Sequence, residues 1–174
     1  MKKWLAFMLM AVVLLAIHEG AHVLIASMYG EYEEIHWSVF PQVIFRTAVE
    51  ERTGIKWAFI SGTGNLVTLS LGYLLLALGK RIARVKYFFL KLSLYYLTLI
   101  ALLLDAINLS IGPFIYGGDA IGIAVGLNIS KYLVQAVFCL ILLVNRELVA
   151  QILLPMYEVS TNHPLFKPWI RLGN

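Results

Sequence analysis

The sequence has a single cysteine, Cys139, set in an apolar run. A disulfide framework is therefore excluded, and a cysteine-built metal site has no material to work with. Charge is also scarce. Asp, Glu, Lys and Arg make up 14% of the 174 residues, where soluble domains run near roughly a quarter. With 60% hydrophobic residues and a mean hydropathy of +0.81, the chain reads as an integral membrane protein whose first partner is the lipid bilayer. The net charge of +4 is modest. Its basic residues gather in one loop, which suits a topology signal and not a nucleic-acid surface, so no nucleic-acid partner is expected.

The most informative absence lies near the start. From Trp4 to Ile17 no residue is charged, and then comes His18-Glu19-Gly20-Ala21-His22. On a helix the two histidines are four residues apart, on one face and about one turn from each other. That spacing lets two imidazoles grip one zinc ion, with Glu19 in reach of a zinc-bound water. Ionisable groups inside an apolar span are costly and mark function. The opening Met1-Lys2-Lys3 imitates a signal peptide. It lacks a convincing small-residue cleavage site, and cleavage would remove the motif, so the segment is read as a retained first span.

Apolar runs predict spans at about residues 4–28, 57–78, 87–109 and 119–144. The expected fold is an all-α membrane protein of about four transmembrane helices. A short β-prone interfacial segment follows the first, and a loop or half-helix precedes the last. Residues 1–154 would form a single transmembrane catalytic domain, with residues 155–174 a surface tail. The β-prone stretch is residues 35–49, with Ile35, Trp37, Val39, Phe40, Val43, Ile44 and Phe45 broken by Pro41. Gly122, Gly126 and Asn128 predict a kink or break near Asn128-Ile129-Ser130. Lys2, Lys3 and the acid-free set Lys80, Arg81, Arg84, Lys86 and Lys91 place both termini in the cytoplasm and the motif's end of the bundle outside.

A catalytic zinc needs a third protein ligand. Asp119 is the preferred candidate, because Gly117-Gly118 allows close backbone approach and Asp119 opens a helix at the depth of the motif. Asp105 is the alternative, able instead to orient a ligand histidine. His36, His163, Glu31, Glu33 and Glu34 are distant candidates. Asn65 ends a small-residue cluster, Ser61-Gly62-Thr63-Gly64-Asn65, and a buried amide needs partners.

Three pieces together resemble the site-2 protease family of zinc intramembrane metalloproteases. They are the HExxH motif on an early span, the small-residue cluster ending in Asn65, and Asn108…Pro113…Gly118-Asp119-Ala120. Thr63 stands where the family usually has proline, and Ala120 where it usually has glycine. The resemblance covers about residues 10–128. It implies zinc held by His18, His22 and Asp119, one ion per chain, with Glu19 as general acid and base. Asn65 and Asn108 would donate hydrogen bonds to the oxyanion or substrate backbone. The β-prone segment fits the family's membrane-associated β region, and Val43 and Ile44 would pair with an extended substrate. The expected activity is hydrolysis of peptide bonds in or near transmembrane segments of membrane proteins or peptides. Glycine-containing helix faces permit a homo-oligomer, and a chain this small leaves room for a regulatory membrane partner. In the better-known members the motif faces the cytoplasm, whereas the basic residues here turn it outward. The competing reading of the same residues is a small proton- or ion-coupled transporter using His18, Glu19, His22 and Asp105 as a path.

Overall fold

A computed structural model describes residues 2–37, 41–115 and 118–170. Val39 and Phe40 of the β-prone run, Gly117 before Asp119, and Arg171 in the tail lie outside the described residues. The first helix, α1, runs Lys2–Met28 without a proline. It stops at Gly30, whose φ of +70° is cheap only without a Cβ. The Glu31 N–H reaches back to Ala26 O and the Gly30 N–H to Ser27 O, a Schellman cap.

Strands β1 (Tyr32–His36) and β2 (Gln42–Phe45) then form an antiparallel hairpin. Ile35 pairs with Val43 and Glu34 with Ile44, with an irregularity between Tyr32 and Glu34. The hairpin sits on the ends of α1 and α2 (Lys56–Ala77), where Tyr32 and Phe45 pack against Ala26, Trp57 and Ile60. A polar knot fixes it there. Lys56 Nζ lies 2.6 Å from Glu31 Oε1, and Thr47 Oγ1 donates to Glu31 Oε2 at 2.7 Å. The Lys56 ammonium and then the Thr47 hydroxyl hold the Glu31 carboxyl below its usual pKa. Arg52 lies over the Trp57 ring at 4.4 Å and the Phe45 ring at 5.1 Å.

Beyond α2, a single turn, α3 (Gly79–Ile82), leads to α4 (Phe88–Ser110). The expected break in the last span is present. A short helix, α5 (Gly118–Leu127), ends in a second Schellman cap with Asn128 at φ +53°. Ser130 then caps the next helix, α6 (Lys131–Leu148), by accepting from the Tyr132 N–H. That helix continues through a π-helical turn, Val149–Leu153, and a last turn, α7 (Leu154–Met156). The fourth long segment is therefore Lys131–Met156, and residues 119–127 belong to a separate half-helix. Among the described residues, four helical segments are long and apolar enough to cross a membrane: Lys2–Met28, Lys56–Ala77, Phe88–Phe114 and Lys131–Met156.

Contacts fix how α5 lies. A Cβ on Gly122 would run into Ser61 Oγ, and one on Gly126 into the Ala58 backbone. Asn65 meets Asp119. These pairs step backwards along α2 as α5 advances, so the two helices are antiparallel in close contact, with glycines four apart at the interface. The tail is tied to the bundle. The Arg146 guanidinium donates to the carbonyls of Pro164, Leu165 and Lys167, and Trp169 N donates to Glu147, so residues 164–169 fold back on α6.

Candidate metal centre

The motif begins ten residues before the end of α1, and both histidines point into the bundle. Each ring has one nitrogen committed. His22 Nδ1 lies 2.6 Å from Ile60 O, and a carbonyl oxygen only accepts, so the proton is on Nδ1. His18 Nδ1 lies 3.2 Å from Asp105 Oδ1, which places its proton on Nδ1 in the same way. With neutral rings, both Nε2 atoms turn their lone pairs toward each other, 3.0 Å apart. Asp119 Oδ2 joins them at 3.4 Å from His18 Nε2 and 3.5 Å from His22 Nε2.

Three electron-pair donors that converge in a buried place repel one another unless a proton or a metal ion sits among them. The spacing fits one. Tetrahedral ligand atoms at about 2.0–2.1 Å from a zinc-sized ion lie about 3.3–3.4 Å apart. His18, His22 and Asp119 are the group among the described residues that could hold a metal ion. Of the two aspartates considered, Asp119 joins this group, whereas Asp105 lies behind His18, on the Nδ1 side of its ring.

The supports behind the three donors are polar and mostly buried. Asp105 also bonds Thr68 Oγ1 through its other oxygen, and Thr68 is fully buried. A ligand imidazole whose far nitrogen is held by a carboxylate has its orientation and tautomer set. Asn65 Nδ2 donates to Asp119 Oδ2 at 2.9 Å and to Ser61 O at 3.2 Å. Both partners only accept, so both amide protons are taken. In this arrangement the Asn65 amide holds the Asp119 carboxylate.

Gly64 provides the space. A Cβ there would fall 2.5 Å from His22 Nε2 and 3.0 Å from His18 Nε2. In the sequence Gly64 reads only as part of a small-residue cluster, and Thr68 carries no motif. The signal that both carry is their spacing. Ser61, Gly64, Asn65, Thr68 and Gly72 recur at three or four residues, one buried face of α2. Thr63, at the family's proline position, bonds Phe59 O at 2.5 Å within α2. Ala120 is fully buried against Leu109, Ala124 and Val134.

Glu19 is half-buried beside the cluster, within electrostatic reach of His18, His22 and Asp119. Ile44 is half-buried on the same strand and pairs with Glu34. Asn108 is half-buried on α4, one turn past Asp105. The more distant ligand candidates lie elsewhere. His36 and His163 are exposed, Glu33 and Glu34 are exposed on β1, and Glu31 is tied to Lys56. Comparison of the chain with protein-family models, with curated proteins and with solved structures finds no match.

Proposed function

We propose that the protein is a zinc-dependent intramembrane endopeptidase. The observation that carries this reading is the convergence of His18 Nε2, His22 Nε2 and Asp119 Oδ2 on one point beside Glu19. Two imidazoles and one carboxylate suit zinc and leave a fourth position open. Bound there, zinc would polarise a peptide carbonyl and acidify a water. The chain's own groups supply the rest. Glu19 takes the proton of the attacking water and delivers it to the leaving amine. Asp105 and the Ile60 carbonyl hold the two rings in register, and Asn65 holds the Asp119 carboxylate.

The hairpin suits a substrate that must be unwound before its carbonyls are reachable. Among the described residues the sheet has two strands, so β2 keeps one edge unpaired there. An extended segment of a membrane protein or peptide would add to that edge and lie beside Glu19. The resemblance to the site-2 protease family points the same way. Against the transporter reading stands the packing inward of the site. The polar chain from His18 through Asp105 ends on Thr68 and the Gly64 and Asn65 carbonyls, and Leu14, Leu97, Ile100 and Ala101 pack together beyond it.

The test is cleavage of a single-span reporter protein by purified, zinc-loaded protein in lipid. The wild type should cut it. Glu19→Gln should keep the metal and lose about 10²–10⁴-fold in rate, the span of general acid–base contributions. Equal cleavage by both would contradict the assignment.

A further inference from the structure

A cavity of about 610 Å³ lies apart from the three candidate ligands, between the loop before α2 and the far end of α5. Arg52 and Lys131 line it together with Ile121, Val125 and Ile129. Both cations stand where spans begin. Arg52 precedes α2 by four residues, and Lys131 is the first residue of α6. Because α5 runs antiparallel to α2, with Gly126 against Ala58 and Asp119 against Asn65, Ile121 lies more than a turn deeper along the spans than Gly126. The cavity is therefore charged at the level where the spans meet the membrane surface and apolar below it.

Neither cation has a carboxylate partner among the described residues, where the Lys and Arg ion pairs are Lys56 with Glu31 and Arg146 with Glu147. Arg52 is nonetheless held in place. Its Nε donates to Thr47 O at 3.3 Å, and its guanidinium lies over the Trp57 ring at 4.4 Å. Among the described residues its terminal nitrogens make no hydrogen bond, so they present a fixed fork of donors suited to a phosphate. Lys131 is exposed and adds a point charge on a long stem.

We propose that this cavity binds an anionic phospholipid, with its phosphate between Arg52 and Lys131 and one acyl chain along Ile121 and Val125. Charge complementarity selects the head group. The apolar wall below it favours a ligand with a hydrocarbon chain over a free anion. The volume lies within the range of about 300–1,000 Å³ usual for small-molecule sites. A zwitterionic phospholipid carries its own ammonium beside the phosphate and gains less from two cations. The lipid site is separate from the proposed chemistry and does not depend on it.

The test uses the full chain, immobilised and equilibrated in micelles of neutral detergent holding equal amounts of phosphatidylglycerol and phosphatidylcholine. After washing, the lipid that each chain retains is measured by mass spectrometry. The wild type should keep phosphatidylglycerol in about 30-fold preference, the combined worth of two interfacial cations. Lys131→Gln, at an exposed position, should lower that preference about fivefold. Arg52→Gln with Lys131→Gln should abolish it. Lys80→Gln with Arg81→Gln, an equal loss of charge on exposed residues of α3, should leave it intact. Equal retention of the two lipids by the wild type, a preference that survives loss of Arg52 and Lys131, or one lost equally with Lys80 and Arg81 would overturn the proposal. Val125→Trp fills the apolar wall and should reduce the phosphatidylglycerol retained, and unchanged retention would count against the chain site. Two competitors at constant ionic strength separate the lipid from other anions. Neither inorganic phosphate nor an N-acetylated, C-amidated hexaglutamate should displace it. Displacement by phosphate would reveal a free-anion site and displacement by the peptide a docking site for acidic segments, and either result would overturn the proposal.

Discussion

The two ends of the helix bundle use the same devices, glycine contacts and buried polar groups, for different ends. Toward the hairpin, Gly64 leaves room for two imidazoles, and His18, Asp105, Thr68, Asn65 and Asp119 form one connected polar cluster. Toward the chain termini, Gly72 lets α2 touch the α4 backbone, with a Cβ there falling 3.1 Å from Ala101 and Leu102 atoms. The buried polar groups at that end tie one helix to another. Tyr73 donates to Asn145 Oδ1, and Asn145 donates to Leu102 O, inside packing by Tyr95, Leu102, Val149 and Leu153. At one end the polar groups gather and orient three candidate ligands, and at the other they hold helices together. The hairpin end should therefore lose function before fold, and the terminal end fold before function.

The sharpest way to break this contrast is a matched pair of substitutions. Gly64→Ala drives a methyl into the His22 ring, and bound zinc should drop to background while the helices remain folded, since Ala favours helix over Gly. Gly72→Ala meets backbone that cannot step aside, and should cost about 1–3 kcal/mol of stability while the folded fraction still holds zinc. Metal analysis alongside thermal unfolding in detergent reads both. Loss of metal in the second variant and not the first would invert the account.

A smaller effect is expected at Asp105. Asp105→Ala removes the orienting partner of His18 and leaves three ligands, so zinc affinity should fall about 10–100-fold without vanishing. Competition with a metal-binding dye measures it, and Asp105→Asn, which keeps an acceptor for Nδ1, should recover part of the loss. Complete loss would mean that Asp105 is itself a ligand. The smallest effect is expected at Asn145. Asn145→Leu removes the interhelical bonds to Tyr73 and Leu102 and should lower stability by about 1 kcal/mol, with zinc content unchanged.

How much of this was legible beforehand varies with the range of the signal. The HExxH spacing, the apolar runs and the Asn128 break are local patterns, and the helices, the half-helix and the His18–His22 face follow from them. Asp119 could be named because two glycines and a helix start single it out in the sequence. Which atom meets which was not legible. The choice between Asp105 and Asp119 turns on opposite sides of one imidazole ring, and nothing local encodes that. The Asn65–Asp119 bond is equally hidden, because the two residues lie 54 positions apart. Arg146 and the returning tail were missed for the same reason. Their contacts span 18 to 21 residues and run largely through backbone carbonyls that no residue type announces.

The central claim is that His18, His22 and Asp119 form one cation site. Its most direct test is the zinc content of purified wild type and of Asp119→Ala, each loaded and dialysed in the same way. One zinc per chain in the wild type and none retained by Asp119→Ala is the predicted result. A wild type that retains no zinc, or an Asp119→Ala protein that retains as much as the wild type, would contradict it.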